Sequence, residues 1–326
     1  MSLRHRAGAA IYDWPAYARA MRRGEWTLLH NRREHITSDG RGVRCDWRFT
    51  SDLHIANVFP RLGERAMRAA LSQWPIVMRD EPENASATPD VSFVIGHRGG
   101  ERLPHLLATL RSIAGQCDVS VECIVVEQAA RPAIESRLPS WVRYIFTECH
   151  TAYNRAATLN AGADAARGEI LVLHDNDMLA PSRYAAEVLA RARDGWDFID
   201  LKRFIFYLGI GATAHFFEHG ELLMRPSTVT QNLQGASIAA SRRGYAAIGG
   251  FDEEFVGWGG EDNDFWDRAA TTAKVYQFGY LPFVHLYHAP QPGKLQGDAA
   301  PAVKRYRELE TVPAAERIRR LRERQP

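Results

Sequence analysis

From residue 91 onward the chain alternates short apolar runs with longer amphipathic spans. VSFVI (91–95), VECIVVEQ (121–128) and EILVLH (169–174) are rich in aliphatic and β-branched residues, and the last is wholly apolar from Ile170 to Leu173. Runs of this kind predict strands covered on both faces. Between them, LPHLLATLRSIAGQ carries helical spacing, and NRAATLNAGADAAR (154–167) also reads as a helix. Strands alternating with helices imply an α/β fold with a mostly parallel sheet flanked by helices. In such sheets ligands gather at the carboxyl ends of the strands.

The periodicity breaks at RDEPENASATPD (79–90), where prolines, acids and small residues form a seam. It separates an N-terminal extension, residues 1–78, from a main domain spanning 91–295. The extension holds a helical pattern around LGERAMRAALSQW and several tryptophans, too little to name its fold. Residues 296–326 form a basic tail, in which Ala315, Ile318 and Leu321 recur about once per turn among arginines. That pattern predicts an amphipathic helix that either docks on its own domain or lies on an anionic membrane.

Composition narrows the classes. A chain of 326 residues with 45% hydrophobic and 25% charged residues is an ordinary globular protein. A net charge of +2 argues against a general nucleic-acid binder. No apolar run reaches membrane-spanning length and MSLRHRAGAA lacks a signal-peptide core, so the expected location is cytoplasmic. Cys45, Cys117, Cys123 and Cys149 show no CxxC pairing, which points away from a zinc site or a disulfide framework.

Two stretches carry candidate chemistry. EILVLH runs into HDNDM, where Asp175 and Asp177 stand two apart. If the backbone stays extended, both carboxylates project to one side at the sheet edge. Such hard oxygen donors suit a Mn2+ or Mg2+ ion that also grips a diphosphate, although an aspartate after a strand also serves as a turn cap. VGWGGEDND (256–264) sets an aromatic among three glycines and then crowds acids together. Neighbouring like charges repel by roughly 1 kcal/mol or more, which a plain turn gives no reason to accept.

VIGHRGGERLPHL, IVVEQ, YNRAATLNAG, LHDNDM, QGASIAASRRGYAAIGGFDEEFVGWGGEDNDF and HLYHAPQPGK together resemble nucleotide-sugar glycosyltransferases of the Rossmann-like GT-A fold. The likeness is to the β-1,4-galactosyltransferases and to bacterial chondroitin-polymerase-type family 2 enzymes, and it covers residues 91 to about 295. It implies Asp262 as the base that deprotonates the acceptor, Glu261 as an acceptor ligand, and Trp258 with Gly257, Gly259 and Gly260 as a loop that closes on sugar. It implies a metal held by Asp177 and His288 with Asp175. His285 stands where the galactosyltransferases have a methionine ligand, and it either ligates or points away. For the nucleotide it implies His97, Arg98, Glu127, Arg155 and Asp175. Asn232 and Gly235 fall at the donor sugar, and Asn232 replaces a bulky tyrosine, which leaves galactose, N-acetylgalactosamine and glucuronic acid open.

The implied activity is an inverting, Mn2+-dependent (or Mg2+-dependent) transfer of a hexose, galactose or N-acetylgalactosamine, from a UDP-sugar to a hydroxyl of a glycan or lipid-linked acceptor. Two alternatives stand beside it. One is a retaining N-acetylgalactosaminyltransferase-like enzyme, which shares a WGxE motif. The other is a non-catalytic sugar-nucleotide or glycan-binding module.

Overall fold

The protein was described from a computed structural model, which covers residues 3–40, 42–44, 51–84, 86–231, 234–257, 259–272, 274–289 and 300–324. The N-terminal region contains helices α1 (Leu3–Gly8) and α2 (Trp14–Arg23), joined through a π-helical turn at Ala9–Asp13. Short strands β1 (His35–Ile36), β2 (Val43–Arg44) and β3 (Ser51–Asp52) follow, then helices α3 (His54–Val58) and α4 (Pro60–Gln73). The main domain opens with β4 (Val91–His97), α5 (Leu103–Ala114), β5 (Val121–Ala129), β6 (Val142–Glu148), α6 (Arg155–Ala165), β7 (Ile170–His174) and β8 (Met178–Leu179). It continues through α7 (Tyr184–Arg193), β9 (Phe198–Ile199), β10 (Lys202–Leu208), α8 (Ile210–His219), β11 (Pro226–Gln231), β12 (Ser237–Ser241) and α9 (Arg242–Ala247). Helix α10 (Glu261–Thr272), β13 (Val275–Tyr276) and β14 (Leu281–His285) complete it, and α11 (Pro301–Glu310) and α12 (Ala314–Arg324) form the tail.

The unbroken apolar strands are explained by what covers them. Among the described residues one sheet has the order β13-β9-β12-β7-β4-β5-β6, with β7, β4, β5 and β6 mutually parallel and β12 antiparallel to β7. Side chains alternate between its faces. Phe93, Ile95, Cys123, Val125 and Val172 pack with Leu106, Leu110 and Ile113 of α5. Val94, Ile124, Val126, Leu171 and Leu173 pack with Ala156, Leu159 and Ala163 of α6. Helix α6 lies close because Gly162 has no side chain: a Cβ there would stand 2.2 Å from Cγ1 of Val94.

A second sheet has the order β3-β11-β10-β14-β8. It draws the N-terminal region into the main domain, because β3 pairs with β11 through Asp52 and Ser51 opposite Thr230 and Gln231. Tyr17, Trp26, Leu53, Ile55 and Met67 share one core with Phe204, Phe206, Val229 and Val284. A buried polar chain reinforces the join. Arg203 donates to the carbonyl of Thr27 and to Gln231, and Gln231 Nε2 donates to Glu34 Oε1 at 2.6 Å.

The tail helix α12 docks on the face of the main sheet that α6 and α10 cover. Ile318 and Leu321 are buried, and Arg317 Nη1 reaches Asp264 Oδ1 at 2.5 Å. The buried positions are Ala314, Arg317, Ile318 and Leu321, so the inner face keeps Ile318 and Leu321 of the expected stripe and has Ala314 in place of Ala315. Burial of Ile318 and Leu321 contributes about 3–6 kcal/mol in total. Of the two readings for this helix, docking on its own domain is the one the packing of Ile318 and Leu321 supports.

Candidate active site

Strand β7 does not stay extended through the two aspartates. After His174 the chain turns at Asn176 and Asp177 and re-enters as β8, which belongs to the other sheet. The turn is held from both sides. Asp175 donates its amide to the carbonyl of Ala236, and Leu286 donates its amide to the carbonyl of Asp177. His97 supplies a third tie: Asn176 Nδ2 donates to its Nδ1 at 2.9 Å, which leaves Nε2–H to donate to the Gly99 carbonyl at 2.8 Å. His97 is 0% exposed and burial lowers its pKa, and in this structure its ring braces the turn.

Because of the turn, the two carboxylates part company. Asp177 faces the end of β14, with Oδ1 3.5 Å from His285 Nε2 and Oδ2 3.4 Å from His288 Nε2. One ligand atom from each of the three lies within 4.8 Å of the other two. Two ligands about 2.1 Å from a shared ion and about 100° apart stand roughly 3.2 Å from each other, so this triad fits a divalent cation. His285 Nδ1 is buried without a partner among the described residues, and Tyr207 stacks on its ring at 4.4 Å. Burial lowers the pKa of both imidazoles, which favours the neutral, ligating form. Burial alone would raise Asp177, but His285, Arg102 and His288 outweigh it and hold the carboxyl below its ordinary value. Of the two readings for His285, the ring turns toward Asp177 rather than away.

Arg102 was not anticipated in the sequence. Its Nη1 donates to Asp177 Oδ2 at 2.6 Å and its Nη2 donates to His288 Nδ1 at 2.9 Å. A guanidinium always donates, so this contact leaves the proton of His288 on Nε2, the nitrogen that faces Asp177. The opposite tautomer donates from Nδ1 to the Ala289 carbonyl at 2.9 Å and frees Nε2 to ligate. The signal for Arg102 lay in its place just ahead of α5, beyond the carboxyl end of β4. Arg98, the expected phosphate ligand, instead has a buried Nη1 with no partner among the described residues.

Asp175 points to a second cluster. Arg155, the first residue of α6, donates to Asp175 Oδ1 through Nη2 at 2.7 Å and Nε at 3.0 Å, and to Asp262 Oδ1 through Nη1 at 2.9 Å. Glu261 Oε1 stands 3.7 Å from the same Nη1. Asp175 therefore stands outside the group formed by Asp177, His285 and His288 and is paired with Arg155. Burial opposes the Arg155 charge, yet Asp175, Asp262 and Glu261 together raise its pKa well above the ordinary value. Burial, with Asp262 adding to it, pushes Glu261 up to about 7. Burial likewise pushes Asp175 up to about 6.

Asp262 sits where α10 begins, and two glycines set its place. A Cβ on Gly235 would meet Asp262 Oδ2 at 2.2 Å. Gly260, at φ +93°, abuts α11, where a Cβ would meet Tyr306 Cβ at 2.8 Å and the Ala302 carbonyl at 2.9 Å. Gly260 thus meets a packing demand as well as a turn, whereas Gly257 faces open space. Glu127 is buried: its Oε2 accepts from Tyr144 Oη at 2.6 Å and from the amide of Ala133, while Oε1 has no partner among the described residues. Asn232, Trp258 and the segment 290–299 lie outside the described residues.

Two family models cover this region. Residues 100–246 match glycosyl transferase family 2, and residues 222–289 match the N-terminal domain of galactosyltransferase. No curated protein matches the chain. Among solved structures, a mannosyltransferase from Pyrobaculum calidifontis in complex with GDP-Man and Mn2+ is 17% identical, with 80% of this chain and 81% of that chain covered at a TM-score of 0.43. Residues 100–246 and 222–289, which between them carry Asp177, both imidazoles and the Arg155 cluster, are thus similar to glycosyl transferase family 2 and to the N-terminal domain of galactosyltransferase.

Proposed function

We propose that the protein is an inverting hexosyltransferase that moves galactose or N-acetylgalactosamine from a UDP-sugar to a hydroxyl of a glycan or lipid-linked acceptor. One observation carries this reading. A continuous line of contacts runs from Asp262 through Arg155 and Asp175 to the turn that presents Asp177 to His285 and His288. Residues far apart in the chain are thereby joined into one base and one cation cradle.

In this reading the acceptor hydroxyl attacks the anomeric carbon as the bond to the diphosphate breaks, and the acceptor proton passes to Asp262. Arg155 fixes Asp262 through Oδ1, so Oδ2, lying over Gly235, is the oxygen that takes the proton. Asp177, His285 and His288 would hold Mn2+ (or Mg2+), whose charge neutralises the departing diphosphate. Arg102, already on Asp177, is placed to follow the phosphate oxygens with its planar fork. Glu127 Oε1 is a buried acceptor that a nucleobase or ribose donor would satisfy. Glu261, with its raised pKa, would offer a protonated carboxyl to an acceptor oxygen.

The test is turnover of a UDP-sugar panel with Mn2+, with the anomeric configuration of the product read by NMR. Asp262→Asn should cut kcat at least a hundredfold while donor-induced thermal stabilisation survives. Retained configuration in the product, or wild-type turnover by that variant, defeats the proposal.

A further inference from the structure

Residues 3–23 form one helical rod with an unusual outer face. The rod buries Ala9, Asp13, Tyr17 and Ala20 against the domain. Beside that face, Leu3 is 86% exposed, Ile11 65% and Trp14 46%. With Ala7 these positions step by four, four and three residues, the period of a single stripe along a helix. Tyr12, 58% exposed, lies at its edge under the Arg32 guanidinium, 4.9 Å from the ring centroid. An apolar stripe this long has no use in water.

Charge decides what covers it. Arg4, Arg6, Arg19, Arg22 and Arg23 are all exposed on the same rod, Arg32 stands over Tyr12, and Arg33 is exposed as well. The only acids between residues 3 and 25 are Asp13, which is buried, and Glu25, 3.9 Å from Arg23. Leucine, isoleucine and interfacial aromatics ringed by arginine are the pattern of a helix lying in the headgroup layer. We propose that residues 3–23 are a membrane-docking surface that seats the protein on a bilayer rich in anionic lipid. The proposal is independent of the sugar-transfer reading.

The test uses the full chain sedimented with vesicles of phosphatidylcholine alone or of phosphatidylcholine with phosphatidylglycerol. The expected result is binding to the anionic vesicles at about 20 mM salt, weaker binding at about 150 mM, and little on neutral vesicles. Each arginine near an anionic surface is worth about fivefold, so an Arg4→Gln, Arg19→Gln, Arg22→Gln triple variant should lose roughly a hundredfold in partition at low salt. A Leu3→Asp, Ile11→Asp double variant should lose at least tenfold with an unchanged melting temperature, because both side chains are largely exposed. Failure of the wild type to bind anionic vesicles at low salt overturns the inference, as does undiminished binding by the double variant. So does a dimer of the wild type that the double variant abolishes, which would assign the stripe to a second copy of the chain.

Discussion

The sharpest test of the site is a single methyl group. Gly235 packs against the carboxylate of Asp262, and an alanine Cβ there would stand 2.2 Å from Oδ2. Real contacts of this kind open to about 3.2 Å, so the carboxylate must retreat by roughly 1 Å. The backbone offers no objection, since Gly235 is not among the residues at positive φ, and the displaced atom is the free end of a side chain. Gly235→Ala should therefore fold normally, with a stability loss of about 1 kcal/mol from disturbance of the Asp262 contact to Arg155. Activity should suffer far more, because a misplacement of 1 Å at a reacting group costs on the order of a hundredfold, or about 2.7 kcal/mol of barrier. The assay is kcat at saturating donor, with the melting temperature and donor-induced stabilisation as controls. Wild-type kcat in a stably folded Gly235→Ala protein would refute both the placement of Asp262 and its role as base.

Three further outcomes follow from the same geometry. Arg102→Gln removes a cation from Asp177 and a donor from His288 Nδ1, contacts worth about 1.5–3 kcal/mol for a charged hydrogen bond, so calorimetric Mn2+ affinity should rise about tenfold or more in the absence of nucleotide. Glu261 has its folded pKa raised to about 7 from an ordinary 4.5, so the stability linked to it is full below pH 4.5 and is lost as pH rises through 7. In metal-free protein Glu261→Gln should lessen the fall in melting temperature across that window relative to the wild type. Arg317→Met strips one of two guanidinium partners from buried Asp264, and because Arg268 remains at 2.8 Å the expected cost in urea unfolding is about 2–3 kcal/mol.

Legibility in the sequence tracked the range of the interactions involved. Strands β4, β5 and β7 and helices α5 and α6 could be read because their periodicity reflects a sheet covered on both sides, a local imprint of the global fold. The second sheet left no such imprint: β3 and β8 are two residues each, and β3 finds β11 about 180 positions away. The acids of HDNDM and WGGED were visible as improbable charge clusters. Their partition was not, because Asp175 and Asp177 take different partners only once the chain turns at Asn176. Arg102 escaped for the opposite reason, being one arginine among many until the ends of β7 and β14 meet beside it. The tail helix showed its amphipathic spacing plainly, but nothing local said which surface its apolar side would find.

The hop of the chain from β7 into β8 has a mechanical corollary. Five residues, 174–178, stitch the two sheets together, and Met178 is in register with His285. Asp177 is on that stitch and the imidazoles are on and just past β14, the strand that β8 pairs with, so a cation gripped by all three would pin the turn to the second sheet. Filling the cradle would then brace the turn at which the chain passes from the first sheet to the second.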